Sequence, residues 1–279
     1  CLMLSSKWLL SLTLLTLLPC IGISGNKTTI SDWVVQHQPE TNYSPHMGVI
    51  ISSAKTGKRL YEQNADQLFT PASIQKLYVA TAALSYLHPN FTYKTTLSSD
   101  ATPQHHAIKG NVYLHFSGNP YLTSEDLQSL LKSLKQNHIT RIRGSLILDD
   151  HVFDQVPYPP GWLWGDLSYS FAAPLGGGNL DQNKFLLHLT PAKQLGAHPS
   201  LNSHLPNSVL TFSNQAITTK AYNKQCPLTV YSNANNQYTV GGCLVQPWKR
   251  QRRSLAIRNL HPFLQFRVQQ TLNDQGISV

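Results

Sequence analysis

The chain has 279 residues, of which 41% are hydrophobic and only 13% are charged. That is enough apolar material for one large or two ordinary folded domains, and it excludes a disordered chain. The formal net charge of +9 suits nucleic acid, anionic lipid or an acidic cell-wall polymer equally, because net charge bears on partners and not on fold. Charge therefore selects no function class by itself.

The N-terminal segment has the order of a secretory signal peptide. Lys7 precedes the apolar run Trp8–Leu18, Pro19 ends that run, and small residues follow it. A membrane anchor is the alternative, but the run is shorter than the roughly 20 apolar residues that span a bilayer. We expect residues 1–24 to be a signal peptide and the protein to be periplasmic or otherwise exported. Peripheral membrane association stays open.

The next elements along the chain predict a β-hairpin. Val49–Ser52 is β-prone, Lys55–Lys58 supplies turn residues, and Leu60–Tyr61 resumes the strand pattern. We therefore expect two antiparallel strands joined by a short turn.

A helix that carries a serine and a lysine is predicted from Pro71 to about Leu87, because proline suits a first turn and Pro89 follows. Ser73 and Lys76 lie three residues apart, so their side chains are neighbours on the helix surface. The apolar residues around them predict burial, and burial disfavours the charged form of lysine, which would let Lys76 take the serine proton. This is the pattern of a nucleophile and its base in one class of acyl-transfer sites. A capping serine with a snorkelling lysine is the alternative.

The same spacing occurs twice more, and neither copy has a suitable context. Ser52 and Lys55 lie in a strand and its turn, where residues three apart point to opposite faces. Ser129 and Lys132 lie on the polar side of a leucine stripe, where lysine stays hydrated and charged. We interpret both pairs as chance occurrences.

The remaining pattern predicts mixed helix and strand. A capped, leucine-striped helix is predicted over residues 123–137, with strands within residues 110–116 and 143–150 on either side. Short β-prone runs alternate with turn residues over 185–247, as in a small all-β module. Residues 263–279 resemble a helix, a glycine stop and the start of a strand.

The segment PASIQKLYVATAAL resembles the acylation motif of penicillin-binding proteins. Its surroundings resemble the DacB-type D-alanyl-D-alanine carboxypeptidase/endopeptidase family, which are low-molecular-mass class C penicillin-binding proteins. The matching segments run in family order over roughly residues 45–279: TGKRLYEQNADQLFTPAS, GNVYLHFSGNPYLTSEDL, IRGSLILDDHVFD, PPGWLWGDLSYSFAAPLGGGNLDQN and VGGCLVQ.

The resemblance implies a multi-domain α/β protein, in which a serine β-lactamase/transpeptidase-like domain is interrupted by a long, β-rich insertion. The N-terminal part of the transpeptidase-like domain would be residues 25–92, the insertion residues 93–255, and the return to the transpeptidase-like domain residues 256–279. The family carries a Ser-x-Asn motif and a Lys-Thr-Gly strand downstream of the insertion, and neither follows it in this sequence. We therefore expect a C-terminally truncated protein without the second donor of the oxyanion hole.

Strings of both kinds do occur elsewhere, and we interpret all of them as unrelated to the site. They are Lys55-Thr56-Gly57, Ser24-Gly25-Asn26, Ser117-Gly118-Asn119 and Ser200-Leu201-Asn202.

By the resemblance, Ser73 would be the acylated nucleophile, with its backbone N–H in the oxyanion hole, and Lys76 would be the proton acceptor. Asp149 and Phe153 fall in a segment that borders the cleft in the family, where a carboxylate would meet the free amine of a cell-wall peptide. A solvated loop carboxylate is the alternative for Asp149.

Two of the four cysteines, Cys1 and Cys20, lie in or before the predicted signal peptide. An exported protein is expected to pair the other two, Cys226 and Cys243, although two unrelated thiols are an alternative. The resemblance places a cystine at this part of the insertion.

The expected reaction is hydrolysis of D-Ala-D-Ala on peptidoglycan stem peptides through an acyl-enzyme on Ser73, with β-lactam antibiotics as covalent inhibitors. A non-catalytic peptidoglycan-binding remnant and a serine β-lactamase are the alternatives. The basic run Lys249–Arg253 lacks interleaved aromatic residues, so a solvated loop or an anionic wall contact is favoured over nucleic acid. No metal and no cofactor is predicted, because the 12 histidines show no metal-ligand spacing and no phosphate-binding motif is present.

Overall fold

The protein is described by a computed structural model. The described residues are 29–37, 46–154, 156–246 and 251–279. The chain divides into two compact units, Cys1–His88 and Pro89–Val279. The signal peptide predicted for residues 1–24 lies outside the described residues. Among the residues that are described, no helix is long and apolar enough to cross a membrane.

The first unit contains the predicted hairpin and the predicted serine helix. Its elements are α1 (Ile30–Gln36), β1 (Val49–Ser52), β2 (Arg59–Gln63) and α2 (Gln75–Leu87). Strands β1 and β2 pair antiparallel. The turn between them is closed by hydrogen bonds from the Ser53 N–H to the Lys58 carbonyl at 2.9 Å and from the Gly57 N–H to the Ser53 carbonyl at 2.8 Å. Gly57 has a φ of +70°, which glycine adopts without steric cost. The hairpin prediction is confirmed.

The second unit combines two helices with short strands. They are β3 (Thr96–Ser99), β4 (Ala107–Ile108), β5 (Val112–His115), α3 (Ser124–Gln136), β6 (Arg141–Ile142), β7 (Leu146–Asp149), β8 (Lys184–Thr190), β9 (Ser200–Asn202), β10 (Thr211–Asn214), β11 (Ile217–Thr219), β12 (Thr229–Ser232), β13 (Gln237–Gly241), β14 (Cys243–Val245), β15 (Gln251–Ala256) and α4 (Leu260–Asp274). The sheets have the orders β3-β5-β7, β4-β6, β15-β8-β9, β10-β13-β12 and β11-β14. The β-rich character predicted for residues 185–247 is confirmed.

Helix α3 forms where the sequence predicts it, for two local reasons. Thr123 and Asp126 form a capping box: the threonine hydroxyl accepts from the Asp126 N–H at 3.1 Å, and the Asp126 carboxylate accepts from the Thr123 N–H at 3.1 Å. Leu127, Leu131 and Leu134 then bury one face. These leucines belong to a single core cluster of the second unit, which also includes side chains from α4.

Helix α4 begins three residues earlier than the sequence pattern suggests. Asn259 caps it, because its side chain accepts from the His261 N–H at 3.3 Å. The predicted glycine stop is confirmed, since Gly276 has a φ of +71°. The strand-like end follows, and Ser278 forms a parallel bridge with Arg141.

The basic run at Lys249–Arg253 is not wholly a loop. Lys249 and Arg250 lie outside the described residues, but Arg252 and Arg253 belong to β15, which pairs antiparallel with β8. The expectation of a loop is therefore wrong for these two arginines, because the apolar Leu255 and Ala256 of the same strand are buried in the core and hold the segment in the sheet. Arg252 is nevertheless exposed to solvent.

Cys226 and Cys243 form a disulfide, with Cα atoms 5.4 Å apart. The Cys243 N–H also donates to the Cys226 carbonyl at 3.2 Å. The predicted pairing is confirmed, and the alternative of two unrelated thiols is wrong. Cys1 and Cys20 lie outside the described residues.

Candidate active site

Ser73 lies in a short turn that leads into α2. Ala72–Ile74 forms one turn of 3₁₀-helix, in which the Ile74 N–H donates to the Pro71 carbonyl at 2.9 Å. Proline fits this position because its ring fixes φ for a helical turn and no N–H is needed there. The serine thus stands at the N-terminal end of the helix, where the backbone dipoles favour negative charge.

Lys76 lies one turn further on and faces the serine. Its Nζ atom donates a hydrogen bond to Ser73 Oγ at 3.4 Å. The predicted spacing therefore brings the hydroxyl and the amine into contact. The catalytic roles of the two residues stay predictions.

The prediction that apolar packing buries Lys76 is wrong for the described residues. Every residue of α2 is exposed, including Tyr78 at 71% and Val79 at 63%. An apolar segment predicts burial only where another surface covers it, and the first unit by itself provides no such cover for this helix. The amine of Lys76 is open to solvent as a result.

Ala72, directly before the candidate nucleophile, has a left-handed backbone with a φ of +43°. A non-glycine residue in this region costs about 1–3 kcal/mol, and such strain is concentrated at functional sites. Sequence reasoning did not find this feature, because a positive φ is expected mainly of Gly, Asn, Asp and His, and alanine gives no signal for it.

The two other serine-lysine pairs have the contexts expected of chance occurrences. Ser52 ends strand β1, whereas Lys55 lies in the turn that follows. Ser129 and Lys132 both lie on the exposed side of α3. The Lys-Thr-Gly string forms the hairpin turn, as expected.

Asp149 is the last residue of β7, and its carboxylate is held by two histidines. Its Oδ2 accepts from His115 Nδ1 at 2.8 Å, and its Oδ1 accepts from the N–H and Nδ1 of His151 at 3.2 and 3.1 Å. These hydrogen bonds, that of His115 first, lower the pKa of Asp149 to about 2. Asp149 belongs to a strand and not to a loop, but its side chain is 36% exposed, so the alternative of a solvated carboxylate is not contradicted.

Phe153 lies against a glycine of the second unit. A Cβ atom added to Gly118 would stand 2.4 Å from the Phe153 ring, and Gly118 itself has a φ of +73°. A side chain at position 118 would therefore strain the backbone and displace this ring. The Ser117-Gly118-Asn119 string, set aside as unrelated to the site, includes this packing position.

The sequence-predicted site residues are divided between the two units. Ser73 and Lys76 belong to Cys1–His88, whereas Asp149 and Phe153 belong to Pro89–Val279. The histidines at positions 115 and 151 were missed. The contact of His115 with Asp149 depends on the pairing of β5 with β7, whereas His151 is only two residues from Asp149 and could have been found from its proximity in sequence. In the described part of the chain, no group of three or more His, Cys, Asp or Glu side chains is placed to hold a metal ion.

The family of the chain follows from a comparison with known proteins. Residues 31–279 match the D-Ala-D-Ala carboxypeptidase 3 (S13) family, and the chain belongs to that family. The resemblance to DacB-type carboxypeptidases is thereby confirmed.

Two relatives are named D-alanyl-D-alanine carboxypeptidases. The chain is 31% identical over 248 residues to D-alanyl-D-alanine carboxypeptidase DacB of Haemophilus influenzae, an alignment that covers 89% of this chain and 51% of the relative. It is 26% identical over 177 residues to D-alanyl-D-alanine carboxypeptidase of Actinomadura sp. strain R39, covering 61% of this chain and 33% of the relative. The chain thus spans about half, or less, of the length of these relatives.

Solved structures agree with the sequence comparison. The crystal structure of penicillin binding protein 4 (dacB) from H. influenzae superposes with a TM-score of 0.76 at 31% identity, covering 83% of this chain and 51% of that one. The same protein complexed with a novel β-lactam gives a TM-score of 0.67 at 28% identity, covering 84% and 50%. The α/β fold class expected from the sequence is confirmed.

Proposed function

We propose that the chain belongs to a serine-type D-Ala-D-Ala carboxypeptidase/endopeptidase that acts on peptidoglycan stem peptides through an acyl-enzyme on Ser73. One observation carries the proposal: in a member of the S13 family, Ser73 Oγ and Lys76 Nζ lie 3.4 Å apart at the start of a helix. That arrangement is the nucleophile and base of an acyl-transfer site.

In the proposed reaction, neutral Lys76 takes the hydroxyl proton as Ser73 Oγ attacks the carbonyl carbon of the terminal D-Ala-D-Ala bond. The C–N bond breaks, the proton passes to the departing amine, and water then hydrolyses the ester. A β-lactam would react by the same attack, with its ring amide in place of the peptide bond. Because Lys76 is exposed in the described residues, this step requires a further surface that excludes water from the amine.

We assign Asp149 and Phe153 to binding of the stem peptide. The pKa of Asp149 is lowered to about 2, so its carboxylate is ionised and can attract an ammonium group at any physiological pH. Three hydrogen bonds already occupy its two oxygens, which leaves room for about one more donor. Phe153, 48% exposed, offers an apolar surface four residues further along the chain.

An exported location fits this function. Cys226 and Cys243 form a disulfide. Disulfides persist in oxidising compartments such as the periplasm and are rare in cytosolic proteins. The signal-like N-terminal sequence points the same way.

A second candidate is non-catalytic binding of peptidoglycan. It is favoured by the exposure of Lys76, since the proposed role as a base depends on a surface that shields its amine from water, and α2 is exposed. The two candidates share a ligand and differ only in whether a covalent bond forms.

Labelling with a fluorescent penicillin separates them. If the first proposal is right, the 279-residue chain forms a lasting adduct that the S73A variant lacks, whereas S129A, the matched serine of an exposed pair, keeps it. The absence of an adduct, together with retained binding to sacculi, supports the second candidate. Rapid loss of the label with turnover of penicillin would support the β-lactamase alternative and contradict both.

A further inference from the structure

Three neighbouring strands bring a serine, a histidine and an aspartate to one face of a sheet in the second unit. His115 of β5 pairs with Thr96 of β3 on one side and with Asp149 of β7 on the other. Ser98 follows two residues after Thr96 and therefore points to the same face. Leu114, between Tyr113 and His115, is fully buried on the opposite face.

The three side chains form a continuous chain of hydrogen bonds. His115 Nε2 lies 2.8 Å from Ser98 Oγ, and His115 Nδ1 lies 2.8 Å from Asp149 Oδ2. His151 holds the other carboxylate oxygen of Asp149 through its N–H and Nδ1. Each link lies within hydrogen-bond reach, the criterion for a nucleophile, its base and the group that orients the base.

The chemistry of the partners fixes the direction of these hydrogen bonds in the neutral imidazole. Asp149 is a carboxylate and only accepts, so the proton of His115 is on Nδ1. Nε2 then has a free lone pair and accepts from the Ser98 hydroxyl. This is the tautomer that a general base for serine requires.

We propose that Ser98 is a second activated serine of this protein, with His115 as its base and Asp149 as the positioning residue, and that it reacts with small acyl and phosphonyl electrophiles. The site does not use Ser73 or Lys76, and it lies entirely within residues 89–279.

The proposed reaction needs only the ester and water as reactants. As Ser98 Oγ forms a bond to the carbonyl carbon of an activated ester, its proton moves to His115 Nε2. When the C–O bond to the leaving alcohol breaks, that alcohol takes the proton. Water then adds to the acyl-serine with His115 again as base, and Ser98 and a free carboxylic acid are produced.

The surroundings set the class of substrate. The side chains of His115 and Asp149 are 40% and 36% exposed, and Ser98 is exposed as well. An open site on a sheet face admits small reagents and gives them little binding energy. We therefore infer small, activated esters and fluorophosphonates, and not a long peptide, as the compounds that react there.

A fluorophosphonate tests the proposal, because attack on phosphorus expels fluoride and leaves a stable adduct. The probe is added to the full chain carrying S73A, so that the penicillin-reactive serine proposed above is absent. We expect one adduct, mapped to Ser98 by peptide mass, which S98A abolishes. H115Q should slow labelling by about 100-fold, the size of a general-base contribution.

Ser99 provides the matched control. It is the next residue of β3, it faces the other way, and its hydroxyl is bonded to the Ala101 carbonyl at 2.9 Å. S99A should label at the parent rate. No adduct, an adduct at another serine, or an unchanged rate in H115Q would each overturn the proposal. Should H115Q fail to fold, S98A decides alone, since it changes only one exposed hydroxyl. Penicillin labelling at Ser73 is scored separately, so the two proposals can fail independently.

Discussion

His115 donates a hydrogen bond from Nδ1 to Asp149 Oδ2 over 2.8 Å, and this contact is the largest cause of the lowered pKa of the carboxyl group. A carboxyl group whose pKa is lower in the folded than in the unfolded chain binds fewer protons when folded. Its contribution to stability is therefore present above the unfolded pKa of about 4 and is lost as the pH falls towards 2.

We accordingly expect D149N to lower the unfolding temperature at pH 7, with a difference from the parent that shrinks steadily between about pH 4 and pH 2. Unfolding followed by circular dichroism across this range measures it. D154N, at an exposed position nearby in sequence, serves as the control and should show no such trend. If the difference in unfolding temperature between D149N and the parent did not change with pH, ionisation of Asp149 would not be its cause.

Tyr238 should be important for stability through its hydroxyl. This side chain is 1% exposed, its O–H donates to the Ala256 carbonyl at 2.5 Å, and burial raises its pKa. Y238F leaves that buried carbonyl without its donor, so we expect the free energy of unfolding to fall by about 1–3 kcal/mol. Urea denaturation measures the loss, and Y231F, at an exposed tyrosine of β12, should change it by less than about 0.5 kcal/mol.

The disulfide should contribute about 3 kcal/mol to the free energy of unfolding. It joins residues 17 apart in sequence, and closing a loop of that length removes this much entropy from the unfolded chain. The double variant C226S/C243S should show the loss in urea denaturation. Treatment of the parent with a reductant should give the same shift, and a stability insensitive to both changes would show that the cystine constrains nothing.

Two glycines with left-handed backbones should respond differently to alanine. Gly161 has a φ of +88° with nothing within 4 Å of an added Cβ, so G161A should cost only the backbone strain of about 1 kcal/mol. Gly242 has a φ of +85°, and its added Cβ would lie 1.9 Å from the Pro227 carbonyl oxygen. G242A should therefore cost about 1–3 kcal/mol more than G161A. Equal losses in thermal unfolding would show that the backbone at Pro227 moves away freely.

The local elements could be predicted from the sequence, because their causes are local. Turn residues specify the β1–β2 hairpin, and the capping box together with the leucine stripe specifies α3. The contact between Ser73 and Lys76 also follows from spacing alone, since residues three apart on a helix are neighbours.

Features that depend on distant segments could not be predicted in this way. The apolar composition of α2 suggested burial, but composition does not say whether a covering surface is present, and the helix is exposed. The network of Ser98, His115 and Asp149 depends on which strands lie side by side, and β5 pairs with strands that come from both directions along the chain. Sequence spacing gives no sign of that order.

The segment after α4 returns to residues that were synthesised long before it. The Ile142 N–H donates to the Ser278 carbonyl at 2.8 Å, and the Ser278 N–H donates to the Thr140 carbonyl at 3.1 Å. Because the chain is synthesised from its N-terminus, most of the second unit must be translated before this edge of β6 can pair. Contacts of such long range slow folding, and this edge of β6 stays unpaired until residue 278 has been synthesised.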